Sequence, residues 1–372
     1  MRIAYYTDQV YLHGGIEKVL AQKLNYLALN TNHEVYLITT EQKGKGHCYH
    51  ITDNIKHHDL GVNYIRSKSY FSLRNLEKVP KHIYLLRKKL KEINPDVLIV
   101  CNYAFDFYFI PFICSGAKTV KEFHSSRYYY AKGLPNTSLF NKKIHQINNW
   151  VETKYNHLVL LNEDERKYYH SDNLVVIPNA IAQNPKKEII KRKNIIIAAG
   201  RIANVKQFDY LIKSWALIAK KYPTWEVHIY GEGDKTLSKS LAILIMSLNV
   251  PNIYLKGVTN ILETKMHEAS LYALTSATEC FPMVLLEALN CGLPIISYDC
   301  PHGPRNIITN NKDGILITHN NITAFAKELS KLIDNTPLRD KMRKNGLKNI
   351  SHSKMVISII TNYMLGKYLL NH

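Results

Sequence analysis

Read from its first residue, the chain alternates short runs of apolar, mostly β-branched or aromatic residues with longer stretches whose apolar positions recur every three or four residues. The short runs predict strands at Arg2–Tyr6, Glu34–Thr39, Asp96–Cys101, Lys118–Phe123, His157–Leu161 and Leu174–Ile177. Apolar runs of this length, separated by helical stretches, are the mark of a parallel sheet covered on both faces. Near Ile177 the text becomes Ile-Pro-Asn-Ala and then polar and lysine-rich through Gln183–Lys187, the composition of a linker. The pattern then restarts, with strands predicted at Asn194–Ala199, Glu226–Tyr230, Ile253–Lys256, Leu271–Thr275, Pro294–Tyr298 and Gly314–Ile317. Helical stretches such as Phe208–Lys221 and Met283–Leu289 lie between them. Two α/β units in tandem follow, 1–183 and 184–354. The end of the chain, about 355–372, reads as an amphipathic helix that needs a surface to pack on.

A length of 372 residues suits two domains, each large enough for its own core. There are 49 Lys+Arg against 30 Asp+Glu, a formal charge of +19 that predicts attraction to phosphates, anionic lipid or nucleic acid without choosing among them. The six cysteines fall at no metal-knuckle or redox spacing, which suits reduced thiols and argues against disulfides or zinc. The first residues run straight into a strand without a signal-peptide pattern, so a cytoplasmic location is expected. Val97–Cys114, the most apolar window, is interrupted by Asn102, Asp106 and Pro111 and reads as a strand followed by a helix.

Several motifs fall where predicted strands end, the edge at which open α/β sheets bind ligands. Gly14-Gly15 follows the first strand and opens a helix, so its amides either hold a phosphate or simply turn the chain. Gly200-Arg201 ends the first strand of the second unit and Lys206 follows five residues on; the two cations either neutralise a diphosphate or are solvated surface charge. Gly231-Glu232-Gly233 is a tight turn with or without a nucleotide above it. In Glu279-Cys280-Phe281-Pro282-Met283-Val284, one acid stands at a strand end, and Glu287 lies two helical turns further on. With Pro282 near the first turn, the amides of Phe281, Met283 and Val284 face a phosphate and the two carboxylates address hydroxyls; the plain alternative is a dipole-stabilising acid and a helix-surface charge. Asp299–Ile308 bends through two prolines and a glycine, shaping the site or serving only as a rigid loop. His124, in Glu122-Phe123-His124, ends a strand of the first unit; a lone histidine is more often structural. Finally, Arg66, Lys68, Arg74, Lys78, Lys81, Arg87, Lys88, Lys89 and Lys91 are interleaved with Tyr64, Tyr70, Phe71, Leu73 and Leu76, with few acids nearby in sequence. This basic 66–91 region reads as a face for an anionic membrane or as a solvated helix.

Taken together, the Gly-Gly-Ile-Glu turn, Glu-Phe-His, Gly-Arg with Lys206, Gly-Glu-Gly, the Glu279–Glu287 block, Cys291-Gly292-Leu293-Pro294 and Lys312-Asp313-Gly314-Ile315-Leu316 resemble glycosyltransferase family 4 over almost the whole chain. The resemblance implies the GT-B fold: two Rossmann-like domains facing across a cleft, with a C-terminal helix crossing back to the first. It implies transfer of a hexose or N-acetylhexosamine from a nucleotide-sugar, a UDP-sugar by the looser likeness of the 299–305 loop, with retention and without a metal or other cofactor. The acceptor would be a saccharide or lipid-linked saccharide of a capsule, O-antigen or teichoic-type glycan, met at the inner face of the membrane. By motif position, Gly15 would offer its amide to the donor phosphate, Arg201 and Lys206 would grip the diphosphate, Glu279 would bind sugar hydroxyls, Glu287 the ribose, and His124 would sit by the reacting face. Cys280 stands where the family commonly has glycine, and Asn306 where it often has an acid. A nucleotide-sugar epimerase of the same architecture would not account for the whole motif series. A nucleic-acid-binding protein would have to bring a phosphate backbone up to the paired acids, and no nucleic-acid partner is expected.

Overall fold

The computed structural model describes residues 1–101, 104–114, 116–133, 138–181, 192–352 and 366. They divide into two compact units, the first Met1–Ala180 and the second beginning at Ile181. The expected linker at 183–187 lies outside the described residues, as does the expected C-terminal helix but for residue 366.

In the first unit, strands β1 (Arg2–Thr7), β2 (Glu34–Thr39), β3 (Lys56–Asp59), β4 (Val97–Val100), β5 (Lys118–Glu122), β6 (His157–Leu160) and β7 (Leu174–Val176) form one parallel sheet in the order β3-β2-β1-β4-β5-β6-β7. Helices α1 (Gly15–Asn30), α2 (Leu73–Leu76), α3 (Val79–Ile93), α4 (Ile110–Ile113), α5 (Tyr128–Gly133) and α6 (Leu139–Glu152) accompany it. Successive residues of a strand face opposite sides, and here both sides are covered. Ile3 and Tyr5 of β1 enter one core with Leu20, Leu24 and Leu27 of α1, while Ala4 and Tyr6 enter another with Leu86 and Leu90 of α3 and Val151 of α6. That double burial is why β1, β2 and β4 read as nearly unbroken apolar runs.

The second unit holds β8 (Ile195–Ala199), β9 (Glu226–Tyr230), β10 (Ile253–Gly257), β11 (Leu271–Leu274), β12 (Ile295–Tyr298) and β13 (Gly314–Ile317), parallel in the order β10-β9-β8-β11-β12-β13. With them go α7 (Phe208–Ala216), α8 (Lys235–Ser247), α9 (Leu262–Glu268), α10 (Met283–Asn290), α11 (Ile322–Asp334) and α12 (Thr336–His352). Each sheet grows outward from its first strand in both directions, so β1 and β8 stand at the points where strand order reverses. Open α/β sheets bind ligands at such a point, above the carboxyl ends of the strands.

Two local expectations need correction. The sequence reading has no strand at β3, whose residues Lys-His-His-Asp carry no apolar run; an edge strand pairs on one side only and needs none. The helix expected over Phe208–Lys221 ends at Ala216 and resumes as a short 3₁₀ turn at Ala219–Lys221, just before Pro223.

Candidate active site

In the second unit the adjacency of β8 and β11 brings two loops together. The chain leaves β8 at Gly200, makes a 3₁₀ turn at Asn204–Lys206 and enters α7. This loop is fastened to the one after β11: Ala277 N–H donates to Val205 O at 2.7 Å, and Thr275 Oγ1 donates to Gln207 O at 2.9 Å. Below it, the buried Tyr272 hydroxyl donates to Ala199 O at 3.1 Å, and burial raises its pKa. So held, Lys206 Nζ reaches Glu279 Oε1 at 2.6 Å, and Ser276 Oγ donates to the same oxygen at 2.7 Å. Both charged groups keep partial solvent access, 19% and 12%. They are therefore an ion pair at the rim of the site, open to exchange partners with a ligand.

Glycines set how closely these segments approach. A Cβ on Gly200 would lie 3.2 Å from Lys206 Cε, so the bare strand end gives the lysine stem its path. Gly231, at φ +137°, packs so tightly that a Cβ would fall 2.0 Å from Gly200 O. Gly303 lets the 299–306 loop press on the acidic loop, since a Cβ there would meet Glu279 Cβ at 2.6 Å and Pro282 Cδ at 2.8 Å. Across the same seam Glu279 forms an isolated parallel bridge with His302. Arg305 is committed to Asp299 through two hydrogen bonds of 2.9 and 2.8 Å and shapes that loop.

α10 begins at Met283 with Pro282 as its N-cap and no side chain capping it, so its first-turn amides and positive dipole end stand beside Glu279 and Lys206. Phe281 and Met283 are buried, Val284 is half-buried, and Glu287 on the next turn is 9% exposed. Arg201 is exposed, with no ion pair among the described residues. The structure thus brings Lys206, Glu279, Gly231 and the α10 start together, and leaves Arg201 available at the adjoining strand end. This arrangement offers an unpaired cation, a paired one and helix amides for a diphosphate, and a carboxylate for hydroxyl donors.

In the first unit, α1 opens at Gly15 behind the N-cap Gly14, again without a capping hydrogen bond. Glu17 curls back over this start: a Cβ on Gly14 would lie 2.2 Å from Glu17 Oε2, while Gln9 Nε2 donates to Oε1. Burial raises the Glu17 pKa. A phosphate on the Gly15 amide would have to displace that carboxyl or meet it protonated, a constraint the motif alone does not disclose.

His124 follows β5 and its side chain is 4% exposed. Nε2 faces Glu122 Oε2 at 3.2 Å; Nδ1 has no hydrogen-bond partner among the described residues. Glu122 is fully enclosed, and Lys23 Nζ of α1 reaches both its oxygens at 2.9 and 3.0 Å. Burial works against the Glu122 charge, but Lys23 and His124 outweigh it and hold the carboxyl at about 2. Burial also lowers the His124 pKa, against the pull of Glu122. A neutral imidazole whose Nε2–H is given to Glu122 carries a lone pair on Nδ1, so His124 is set to accept a hydrogen bond from a hydroxyl. Glu122 stands in the Glu-Phe-His motif, but nothing local in the sequence points to Lys23, 99 residues away from it in the chain.

Cys101, Glu122 and His124 bring ligand atoms within 4.8 Å of one another, but the Lys23 ammonium already sits against that carboxylate as its cation. Glu263, His267 and Cys291 form a second such group, with the Arg192 guanidinium donating to Cys291 O at 2.6 Å. Positive charge at both places opposes a metal ion.

The basic 66–91 region is altered by its surroundings. Arg66 is not a free surface cation: its guanidinium pairs with Asp8 at the end of β1 and with the buried Glu41 just past β2. Lys89 pairs with Glu92 at 2.8 Å, and Lys78 donates to Asn63 O. The acids that hold Arg66 arrive from strand ends remote in sequence, which is why a local count of acids overlooks them.

Comparison with known proteins adds to this geometry. The family model described as Glycosyltransferase Family 4 matches residues 13–183, and that of Glycosyl transferases group 1 matches residues 180–349. An uncharacterized glycosyltransferase of Haemophilus influenzae is 28% identical over 349 residues, 91% of this chain and 92% of the relative. A lipopolysaccharide 1,6-galactosyltransferase of Salmonella typhimurium is 26% identical over 73% of this chain and 75% of the relative. Among solved structures, a Staphylococcus aureus TarM variant, in complex with fondaparinux, α-GlcNAc-glycerol and UDP, superposes with a TM-score of 0.79 over 99% of both chains at 16% identity, a likeness of fold. With two parallel-sheet Rossmann-like units, the motif series and two family models spanning nearly its full length, the chain belongs to glycosyltransferase family 4 and has the GT-B fold.

Proposed function

We propose that the chain transfers a hexose or N-acetylhexosamine from a UDP-sugar to a saccharide or lipid-linked saccharide acceptor in cell-surface glycan biosynthesis, with retention and without a metal. The observation that carries this reading is the Lys206–Glu279 pair at 2.6 Å beside the uncapped start of α10 and the unpaired Arg201. On donor binding, Lys206 turns from Glu279 to the diphosphate with Arg201 and the α10 amides, and the freed Glu279 takes sugar hydroxyls. Charge building on the leaving phosphate is then met by groups already in place. Glu287 serves the ribose and Gly231 lies under the nucleotide, while Gly14 and Gly15 border the phosphate. His124, with Nδ1 as an acceptor, takes a hydroxyl of the donor or acceptor sugar. The leaving phosphate accepts the proton of the attacking hydroxyl on the same face, so neither glutamate is a nucleophile. A relative that acts on lipopolysaccharide and a structural neighbour holding UDP support the acceptor class and the nucleotide.

The proposal extends to a cytoplasmic protein held at the inner membrane surface, with the basic 66–91 region attracting anionic lipid. Among the described residues, no helix is long and apolar enough to cross a membrane. The deciding experiment is a thermal-shift screen against UDP-, GDP- and ADP-sugars, followed by transfer assays, because a ligand that binds only the folded state raises its apparent stability. Stabilisation by UDP-sugars and product formed only with an acceptor are expected. Oligonucleotide binding with no response to any nucleotide would reverse the reading.

A further inference from the structure

α6 turns its apolar stripe outward. Asn148, Val151 and Glu152 form its buried side. On the other side Leu139 is 79% exposed, Phe140 70% and Trp150 54%, with Ile147 also exposed. An apolar stripe on a surface helix ordinarily faces the core, whereas among the described residues nothing buries this one. Trp150 stacks on the exposed Phe112 with ring centroids 5.5 Å apart, and Lys154 Nζ lies 5.2 Å from the Trp150 ring centre. Lys143, Gln146, Ile147 and Trp150 line a shallow hollow along the helix. Lys142, Lys143 and Lys154 are exposed around it, and the one acid of α6, Glu152, is fully buried against Arg127. The patch connects towards the basic region: exposed Phe71 packs its ring on Phe105 and Tyr108, and the Tyr108 hydroxyl donates to Asn148 Oδ1 at 2.8 Å.

We propose that the α6 face, centred on Trp150 and Phe112 and ringed by Lys142, Lys143 and Lys154, is the element that inserts into an anionic lipid surface. Aromatic and aliphatic tips enter the acyl boundary while lysines without an acid on their own face meet the headgroups. The exposed cations of the 66–91 region then add long-range attraction, with Arg66 withheld in its ion pairs. This deepens the membrane part of the proposed function and depends on no detail of the transfer site.

The three tryptophans supply the test. Trp215 is 0% exposed and Trp225 6%, so Trp150 alone reports on the surface. The full chain is mixed with vesicles of phosphatidylglycerol and phosphatidylcholine in equal parts, and with phosphatidylcholine alone. On the anionic vesicles the emission should shift to the blue and be quenched by acyl-brominated lipid; Trp150→Phe should abolish both signals. Reversing Lys142, Lys143 and Lys154 to Glu together should weaken vesicle partitioning on the order of tenfold or more. Absence of a blue shift on the anionic vesicles overturns the proposal, as does vesicle binding that the lysine reversals leave unchanged. Self-association that shields Trp150 without lipid also overturns it, by assigning the face to a second copy. UDP-sugar stabilisation measured on the same samples separates the readings: stabilisation without vesicle binding sinks the docking face alone, and vesicle binding without stabilisation sinks the transferase reading alone.

Discussion

Replacing Gly231 by alanine tests whether close approach of β8 and β9 builds the loop that carries Arg201 and Lys206. The new Cβ would stand 2.0 Å from Gly200 O and 2.9 Å from Gly200 C, both backbone atoms. The contact with Gly200 O is more than an ångström short of ordinary non-bonded separation, roughly 3.5 Å, so the strand ends must part. Holding a non-glycine residue at φ +137° costs about 1–3 kcal/mol, and forcing packed backbone aside about 1–3 kcal/mol more. Gly257→Ala is the control. Its φ of +68° carries the conformational cost of about 1–2 kcal/mol, while a Cβ there meets nothing within 4 Å. Both glycines lie in the second unit with the buried Trp215 and Trp225, whose fluorescence follows its unfolding in urea. Gly231→Ala should lose clearly more stability than Gly257→Ala, and under folding conditions it alone should lose stabilisation by UDP-sugar. Two variants of equal stability, both still responding to donor, would refute the argument that contact between the strand ends positions the cations.

Lys206→Ala and Glu279→Ala should each leave the far-UV circular dichroism spectrum unchanged and lower transfer by about 10²–10³-fold, the scale of losing one preorganised charge-stabilising group; turnover near normal in both would remove them from the site. Glu122→Gln strips the partner from a lysine that is 2% exposed and should cost about 3–5 kcal/mol in urea unfolding at neutral pH. The Glu122 carboxyl is held at about 2, below its ordinary 4.5, so its contribution is complete above 4.5 and is lost as pH falls towards 2. The gap between wild type and variant should therefore close across that window, and a pH-independent gap would contradict the ion-pair account. In wild type, ¹⁵N NMR at neutral pH should find His124 neutral with its proton on Nε2; a proton on Nδ1 would refute its role as a hydroxyl acceptor. Gly303→Ala, which places a methyl 2.6 Å from Glu279 Cβ, should raise the donor KM by displacing the acidic loop; unchanged donor KM would show that the loop yields without moving Glu279.

What the sequence determined is the set of segments and the faces they bury. Strands sealed on both sides are mostly apolar, so the expected strands are all found; β5 buries Lys121 and Glu122, the carboxylate pairing with Lys23, and β3 escaped because an edge strand with one neighbour needs no apolar run. It also placed Gly15, Arg201, Lys206, Glu279 and His124 in the segments that follow strands, because glycines and charges gather where the chain leaves the sheet. Strand order was beyond it, and strand order decides partners. Only the adjacency of β8 and β11 joins Lys206 to Glu279 across 73 residues, only the packing of α1 on the first sheet joins Lys23 to Glu122, and only the neighbouring ends of β1 and β2 withdraw Arg66 from the surface. The outward stripe of α6 has the same origin. Periodicity reveals that a helix has an apolar side, whereas which side meets the core depends on where the rest of the chain has placed its own apolar surface.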